Sequence, residues 1–219
     1  IRCLSCLLQT AELFGTAQNE IRYMVFRRKK NIQPVIIIEL FSPSDLEEKL
    51  SQDIDKANEN LANYNDSFME DPTGLNLRDY QIKAVNKATE AIMNGSRTAL
   101  LAMATGTGKT RTVLGLIYKM LESKRFKRIL FLVDRVSLGE QAMDTFKDVK
   151  LKDLMTLDEI YELKAIDDNE INLETKVSVS TVQGLLKRTI LSDTPDLMPG
   201  AFDLIIVERH TEDIFSTGK

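Results

Sequence analysis

Short apolar runs alternate with helix-like segments over the part of the chain that follows residue 76. One helix is predicted at about 77–94, and another follows Gly108 with apolar residues three and four positions apart, which is the spacing of one helix face. Strands are predicted for the apolar runs at 98–104, 128–134, 177–182 and 203–207. Such alternation is typical of a mostly parallel sheet flanked by helices, so the predicted fold class is α/β.

Three further helices are predicted between these strands. Ser137 and Glu140 have the spacing of a capping box that opens the first of them. The run TLDEIYEL at 156–163 predicts a short capped helix, and QGLLKRTIL at 183–191 predicts the third.

The first 75 residues follow a different pattern. The runs IRYMVF and PVIIIEL predict two strands joined by a polar turn, and we expect residues 1–43 to be the end of an incomplete upstream domain. Residues 44–75 are predicted to be a connector helix and linker, opened by a capping box of Ser44 and Glu47. The apolar face of this helix is predicted to comprise Leu46, Leu50, Ile54, Ala57 and Leu61. The main domain is expected at 76–219.

Composition adds limits on the class of protein. A chain of 219 residues with 43% hydrophobic content can bury a substantial core. No apolar run is long enough to cross a bilayer and the start lacks a basic n-region, so we expect a cytoplasmic protein without a membrane partner. The chain begins at Ile1, so we expect a fragment. Cys3 and Cys6 are expected to be reduced thiols, since neither a second cysteine pair nor histidines accompany them.

Charge is unevenly distributed along the chain. The net charge of −4 argues against nucleic acid on average, but Lys and Arg crowd residues 119–152 whereas 158–174 is acidic. An acidic average can therefore hide a basic face. The run KRFKR at 124–128 is expected to be a solvated helix end that offsets the dipole, rather than a DNA contact.

The strongest chemical signal is the run MATGTGKT, Met103–Thr110, here called the phosphate loop. Gly106 and Gly108 let the backbone curl so that N–H groups point inward, and the following helix adds its positive end. Lys109 would then reach the β and γ phosphates, and Thr110 would offer its hydroxyl to Mg²⁺. Met103 stands where the strict motif has glycine, but the half that wraps the phosphates is intact.

Polar residues elsewhere are placed to assist such a loop. Gln81, in the run NLRDYQIKAV, has an amide that can donate to and accept from an adenine edge at once. Arg135, Thr181 and Gln183 follow predicted strands, at the edge where open α/β sheets bind ligands. Side chains of these types commonly contact phosphate backbones. Polar capping of the next helices remains an alternative, particularly for Thr181.

The order of these motifs resembles a known family. LRDYQ, MATGTGKT, LFLVDR, STVQ and then FDLIIV before an acid resemble the first RecA-like lobe of superfamily 2 helicases and translocases. GLNLRDYQIKAV, LLAMATGTGKTRTVLGLIY, RILFLVDRVSLGEQA and LKDLMTLDEIYE more closely resemble the motor subunit of type I restriction enzymes, which carries a nuclease and a DNA-pumping ATPase. The resemblance covers roughly the last two thirds of the chain strongly.

The resemblance implies a set of ligands and partners. ATP and Mg²⁺ would be the cofactors, bound by Arg78, Gln81, Thr105, Gly106, Thr107, Gly108, Lys109 and Thr110. Double-stranded DNA would contact Arg135, Thr181 and Gln183. The nuclease domain and second RecA-like lobe of the complete subunit, together with specificity and methyltransferase subunits, would be its partners. No Asp and Glu-x-Lys nuclease cluster is found here, so we expect the cutting site and the second lobe to lie outside this chain.

One motif departs from the family pattern. After FDLIIV the family has Asp-Glu-Ala-His, whereas this chain has Glu208, Arg209 and His210. Glu208 is either the water-activating glutamate or a replacement for the magnesium aspartate, and in both cases one carboxylate of the pair is missing. Two functions therefore stay open: the ATP-binding lobe of a DNA translocase, or an inactive truncated or frameshifted product that binds ATP without hydrolysing it. A P-loop kinase would leave LRDYQ and STVQ unexplained.

Overall fold

A computed structural model of the chain describes residues 53–165, 175–189 and 202–208, together with the strand residues 11–16, 22–26 and 36–37. The chain divides into two compact units: Ile1–Gln52 with Met198–Ala201, and Asp53–Leu197 with Phe202–Lys219. The predicted capping box of Ser44 and Glu47, with Leu46 and Leu50, lies outside the described residues.

The N-terminal unit contains a three-stranded sheet. Strands β1 (Ala11–Thr16), β2 (Arg22–Phe26) and β3 (Ile36–Ile37) are antiparallel and lie in the order β1-β2-β3. The pairing of β2 with β3 confirms the predicted hairpin. Strand β1 was not predicted, because Gly15 weakens a strand pattern, and the register of β1 shifts between Leu13 and Thr16.

The second unit is built on a four-stranded parallel sheet of order β5-β6-β4-β7. Its strands are β4 (Ile129–Val133), β5 (Leu163–Ala165), β6 (Val177–Thr181) and β7 (Leu204–Val207). All five residues of β4 are buried, as expected for a central strand of a sheet covered on both faces. The predicted α/β class is therefore confirmed.

Seven α-helices accompany the sheet within the described residues. They are α1 (Ile54–Ala62), α2 (Ser67–Glu70), α3 (Asp79–Met93), α4 (Lys109–Glu122), α5 (Val136–Asp148), α6 (Leu157–Ile160) and α7 (Val182–Thr189). A short 3₁₀ helix covers Lys152–Leu154. The helices predicted after residue 76 are thus all present, although their bounds differ by a few residues.

Helix starts follow the sequence signals in some places and not in others. Asp53 caps α1 through Lys56 N–H at 2.9 Å, and the Thr156 N–H donates to Glu159 Oε2 at 2.7 Å, which confirms the capped start of α6. The capping box predicted at Ser137 is wrong, because α5 begins directly after Arg135 and places Ser137 inside its first turn.

Two predictions about apolar residues are also wrong. Residues 98–104 form no strand, and the Leu100 side chain is 92% exposed. The run TALLAMA contains one β-branched residue, so its apolar character is not matched by strand propensity. Ile54 is 51% exposed, whereas Ala57 and Leu61 are buried as predicted. Ile54 is the first residue of α1.

The core lies around α4, which packs against α3, α5 and the linker before α3. Leu114, Ile117 and Met120 on α4 are completely buried. A Cβ atom at Gly115 would lie 2.9 Å from Leu75 Cδ2, so the linker approaches α4 as closely as a glycine allows. Between the sheet and α5, Phe131 of β4 packs on Phe146 with ring centroids 5.9 Å apart.

A buried ion pair joins α4 to the residues before α3. Lys119 Nζ lies 2.7 and 2.9 Å from the two carboxylate oxygens of Asp66 and 3.4 Å from Asn86 Oδ1. The Lys119 side chain is 5% exposed. Lys119 therefore does not belong to a basic face, contrary to the expectation drawn from the local excess of Lys and Arg.

Arg125, in the predicted solvated run KRFKR, is also packed. Its Nε–H donates to Asn58 Oδ1 of α1 at 2.8 Å, and its guanidinium lies 4.7 Å from the Phe126 ring centroid. Burial lowers the pKa of Arg125, and the nearby Asp203 opposes that shift. The run lies after the end of α4 at Glu122, so the predicted solvated helix end is wrong for this arginine.

Candidate nucleotide site

The phosphate loop begins in residues without regular secondary structure and runs into the N-terminus of α4. Gly106 and Gly108 have φ angles of +77° and +76°, which side chains rarely allow. The Thr107 hydroxyl donates to Ala104 O at 2.6 Å and closes the turn. Gly108 is the N-cap residue of α4 and supplies no side chain to the helix start. The first N–H groups of α4 are thereby left for an anion, which fits a phosphate group.

Lys109 and Thr110 are the first two residues of α4, and both are half-buried. Thr105 and Gly106 lie in the exposed turn before them. The positive end of a helix, an ammonium and a hydroxyl are groups that can bind the phosphates of a nucleoside triphosphate and its Mg²⁺. The predicted phosphate-binding residues are thus brought together on one turn, although their roles stay a prediction.

Gln81 lies against the phosphate loop from the first turn of α3. Its Nε2 is 3.1 Å from both Thr107 O and Gly108 O, to which it donates, while Oε1 accepts from Arg78 N–H at 2.8 Å. The residue is 4% exposed. A primary amide has only two N–H bonds, so donation to an adenine edge requires Gln81 to release one loop carbonyl. Adenine recognition by Gln81 stays a prediction.

Arg78 is the exposed N-cap residue of α3, where its backbone N–H is held by Gln81. Its neighbour Tyr80 was not predicted to be functional. The Tyr80 hydroxyl donates to Thr107 O of the phosphate loop at 2.9 Å, and the residue is 42% exposed. The only signal in the sequence was its position beside Gln81, and that position alone does not reveal a contact 27 residues away.

The predicted DNA-binding residues lie at the carboxyl edge of the sheet. Val133 and Thr181, the last residues of β4 and β6, are paired. Arg135 lies two residues after the end of β4, and Gln183 lies two residues after the end of β6. Arg135 and Gln183 are exposed. The Thr181 hydroxyl accepts from Gly184 N–H at 3.0 Å, which is the capping role that the sequence left open. Capping occupies one lone pair of this hydroxyl and leaves its O–H bond to donate elsewhere.

Glu208 follows β7 at the same edge. Its N–H donates to Leu132 O of β4 at 2.8 Å, which continues the pairing of Leu132 with Val207. Arg209 and His210 lie outside the described residues, so the two interpretations of Glu208 both stand. Among the residues that the structure describes, no group of three or more His, Cys, Asp or Glu side chains could hold a metal ion.

A polar cluster lies at the opposite end of α4 from the phosphate loop. The Tyr161 hydroxyl donates to Glu122 Oε1 at 2.5 Å, and Tyr64 and Tyr118 lie in the same cluster. Burial, followed by the charge of Glu122, raises the pKa of Tyr64 to about 12. Burial also raises the pKa values of Tyr118 and Tyr161. These tyrosines therefore stay neutral at pH 7 and lie at the far end of α4 from the candidate nucleotide site.

Comparison with known proteins identifies the family. Residues 74–211 match the family described as Type III restriction enzyme, res subunit, which is more than half of the 219 residues. The chain belongs to this family. The family membership and the relatives below confirm the resemblance to the motor subunit of restriction enzymes.

The restriction-enzyme relatives are much longer than this chain. The chain is 45% identical over 168 residues to the Type I restriction enzyme EcoKI endonuclease subunit of Escherichia coli K12, covering 76% of the chain and 14% of that protein. It is 49% identical over 74 residues to the Type I restriction enzyme EcoAI endonuclease subunit of Escherichia coli, covering 34% of this chain and 9% of that protein. It therefore spans only a small part of each relative.

One solved structure is a fragment assigned as an HsdR subunit of a type I restriction enzyme from Vibrio vulnificus YJ016. It matches with a TM-score of 0.42 and 21% identity, over 90% of this chain and 35% of that one. This match is too weak to define the fold, which rests on the sheet topology given above. No helix in the described parts of the chain is both long and apolar enough to cross a membrane.

Proposed function

We propose that this chain is the ATP-binding lobe of an ATP-dependent DNA translocase that belongs to a type I restriction endonuclease. The observation that carries the proposal is the phosphate loop, which has two glycines at positive φ and leads directly into the uncapped N-terminus of α4. This combination is the anion-binding arrangement of P-loop proteins. Membership of the restriction-enzyme family supports the same function.

In this proposal the N–H groups of the loop and of α4 bind the β and γ phosphates. Lys109 would add a point charge beside the γ phosphate, and the Thr110 hydroxyl would hold the cation. Mg²⁺, when bound, would neutralise the charge that develops on the phosphates. Gln81 joins the loop to the start of α3, so the position of α3 depends on the conformation of the loop.

Duplex DNA is proposed to contact the carboxyl edge of the sheet. Arg135 and Gln183 are exposed there, and Thr181 retains an O–H donor. Such contacts position a duplex through its phosphates without reading its sequence. Selection of the DNA site is proposed to come from a specificity subunit, with a methyltransferase subunit, a nuclease domain and a second RecA-like lobe as further partners.

A second candidate function is nucleotide binding without turnover. Glu208 is the first residue after β7, and an arginine follows it where the family pattern has a second acid. Loss of one carboxylate from a phosphoryl-transfer site should raise the barrier by on the order of 4 kcal/mol, or about a thousandfold in rate. This candidate retains ATP binding and loses hydrolysis.

Calorimetric titration with ATP and Mg²⁺ tests ATP binding, which both candidate functions require. Lys109→Ala should weaken binding by about ten- to hundredfold, because a charge-assisted hydrogen bond to phosphate is lost. Lys147→Ala removes an exposed lysine on α5 and serves as the charge-matched control. Equal binding by the Lys109→Ala variant and the wild type would contradict the proposed phosphate loop.

An ATPase assay with and without duplex DNA separates the two functions. DNA-stimulated turnover by this chain, abolished by Lys109→Ala, supports an active motor lobe. If the chain binds ATP without hydrolysing it, and Glu208→Gln leaves that binding unchanged, the result supports the inactive binding module.

A further inference from the structure

Two adjacent residues of α3 hold one carbonyl of the phosphate loop. The Tyr80 hydroxyl donates to Thr107 O at 2.9 Å, and Gln81 Nε2 donates to the same oxygen at 3.1 Å. Gln81 Nε2 also lies 3.1 Å from Gly108 O, so its amide is shared between two carbonyls. The Tyr80 hydroxyl has one O–H bond, directed at Thr107 O, and makes the shorter of the two hydrogen bonds to that oxygen.

The direction of this carbonyl fixes the direction of the next N–H group. In a trans peptide the C=O and N–H bonds point to opposite sides, and the described residues contain no cis peptide bond. The Thr107 carbonyl points toward α3, so the N–H of Gly108 points away from it. A Cβ atom placed at Gly108 would have neighbours within 4 Å only on Gln81, and Gly108 itself is exposed, so a ligand can reach this residue.

This peptide unit needs external support. Gly108 has a φ of +76°, and glycine occupies positive and negative φ almost equally well. Rotation of the Thr107–Gly108 peptide is therefore restrained little by the chain itself. Donors on α3 that hold the carbonyl remove this freedom before a ligand binds, which is how preorganisation increases affinity.

We infer that Tyr80 is a positioning residue for phosphate binding. Its hydroxyl holds the Thr107 carbonyl so that the Gly108 N–H faces the nucleotide phosphates. The inference rests on the proposed function, because it requires a phosphate ligand at the loop. It extends that function by assigning Tyr80 to recognition of the phosphates and not of the base.

Stacking of the Tyr80 ring on the adenine is the competing role, because the side chain is 42% exposed. The two roles use different parts of the side chain. Tyr80→Phe removes the hydroxyl and keeps the ring, whereas Tyr80→Leu removes both. Tyr64→Phe is the control for loss of a tyrosine hydroxyl at a remote site.

The test titrates the complete chain with ATP and Mg²⁺, with tripolyphosphate and with adenosine, alongside thermal unfolding of each variant. Tyr80→Phe should weaken ATP and tripolyphosphate by a similar factor of about three to ten, which corresponds to one net hydrogen bond. Adenosine binding should not change, and Tyr64→Phe should bind all three ligands as the wild type does. Tyr80→Leu should weaken tripolyphosphate no further than Tyr80→Phe.

Three results would overturn the inference. Normal ATP binding by Tyr80→Phe together with weak binding by Tyr80→Leu would assign the ring to the base. Equal weakening of adenosine and tripolyphosphate by Tyr80→Phe would indicate general loss of structure. Normal ATP binding by both variants, with Lys109→Ala defective, would leave the proposed function intact and remove Tyr80 from it. If Lys109→Ala also binds normally, the proposed function fails as well.

Discussion

Asp66→Asn should destabilise the protein more than Lys119→Met, although both substitutions break the same ion pair. The Lys119 side chain is 5% exposed, whereas the Asp66 side chain is 33% exposed. In Asp66→Asn the ammonium loses its counter-ion where little water reaches it, and breaking a buried pair in this way costs about 3–5 kcal/mol. In Lys119→Met the remaining carboxylate is partly solvated, so the expected cost is lower, about 1–3 kcal/mol.

Urea unfolding followed by circular dichroism measures both costs as changes in the free energy of unfolding. Lys83→Met, at an exposed position on α3, controls for the substitution itself and should change stability by less than about 0.5 kcal/mol. The double variant should lose less free energy of unfolding than the two single variants lose together, because each substitution removes the charge that the other leaves unpaired. Equal costs for the two single variants, or a larger cost for Lys119→Met, would refute the reasoning.

Three further predictions concern the loop, the DNA contact and alkaline pH. Gly108→Ala should weaken ATP binding at least about tenfold in calorimetry, because its Cβ would lie 2.7 Å from Gln81 Nε2 at a φ of +76°; unchanged affinity would contradict the observed loop geometry. Arg135→Ala should lower the slope of log affinity for duplex DNA against log salt by about one, whereas Lys147→Ala should not, as measured by fluorescence anisotropy. The pKa of Tyr64 is raised to about 12 from 10.0, so its contribution to stability is complete below pH 10 and is lost as the pH rises toward 12. Tyr64→Phe should therefore show a smaller loss of stability over that range in urea titrations, and an identical pH profile would contradict the role of burial.

The features of the site that could be predicted from the sequence are those encoded locally. Gly106 and Gly108 specify positive φ angles at their own positions, and the helix that follows is evident from its apolar spacing. Strands β4 and β7 were also predictable as short apolar runs, and β6 as a run in which three of five residues are β-branched. Such signals need no knowledge of distant residues.

The features that were missed depend on contacts between distant parts of the chain. Lys119 looks like one of many exposed lysines until α4 packs beside Asp66, which is 53 residues away in sequence. Tyr80 becomes significant only when α3 meets the phosphate loop. Residues 98–104 were predicted as a strand and form none. An apolar run becomes a strand only where a neighbouring strand pairs with it, and the sequence does not show that pairing.

The core around α4 extends beyond the segment that carries the motifs. A polypeptide starting at residue 76 would keep every nucleotide-site residue named above. It would lack Leu61, Phe68, Met69 and Leu75, which belong to the same buried core as α4. Each such side chain contributes about 1.5–3 kcal/mol on burial, and together they approach the whole stability of a typical domain, about 5–15 kcal/mol. A polypeptide that begins at residue 76 should therefore lose most of its stability.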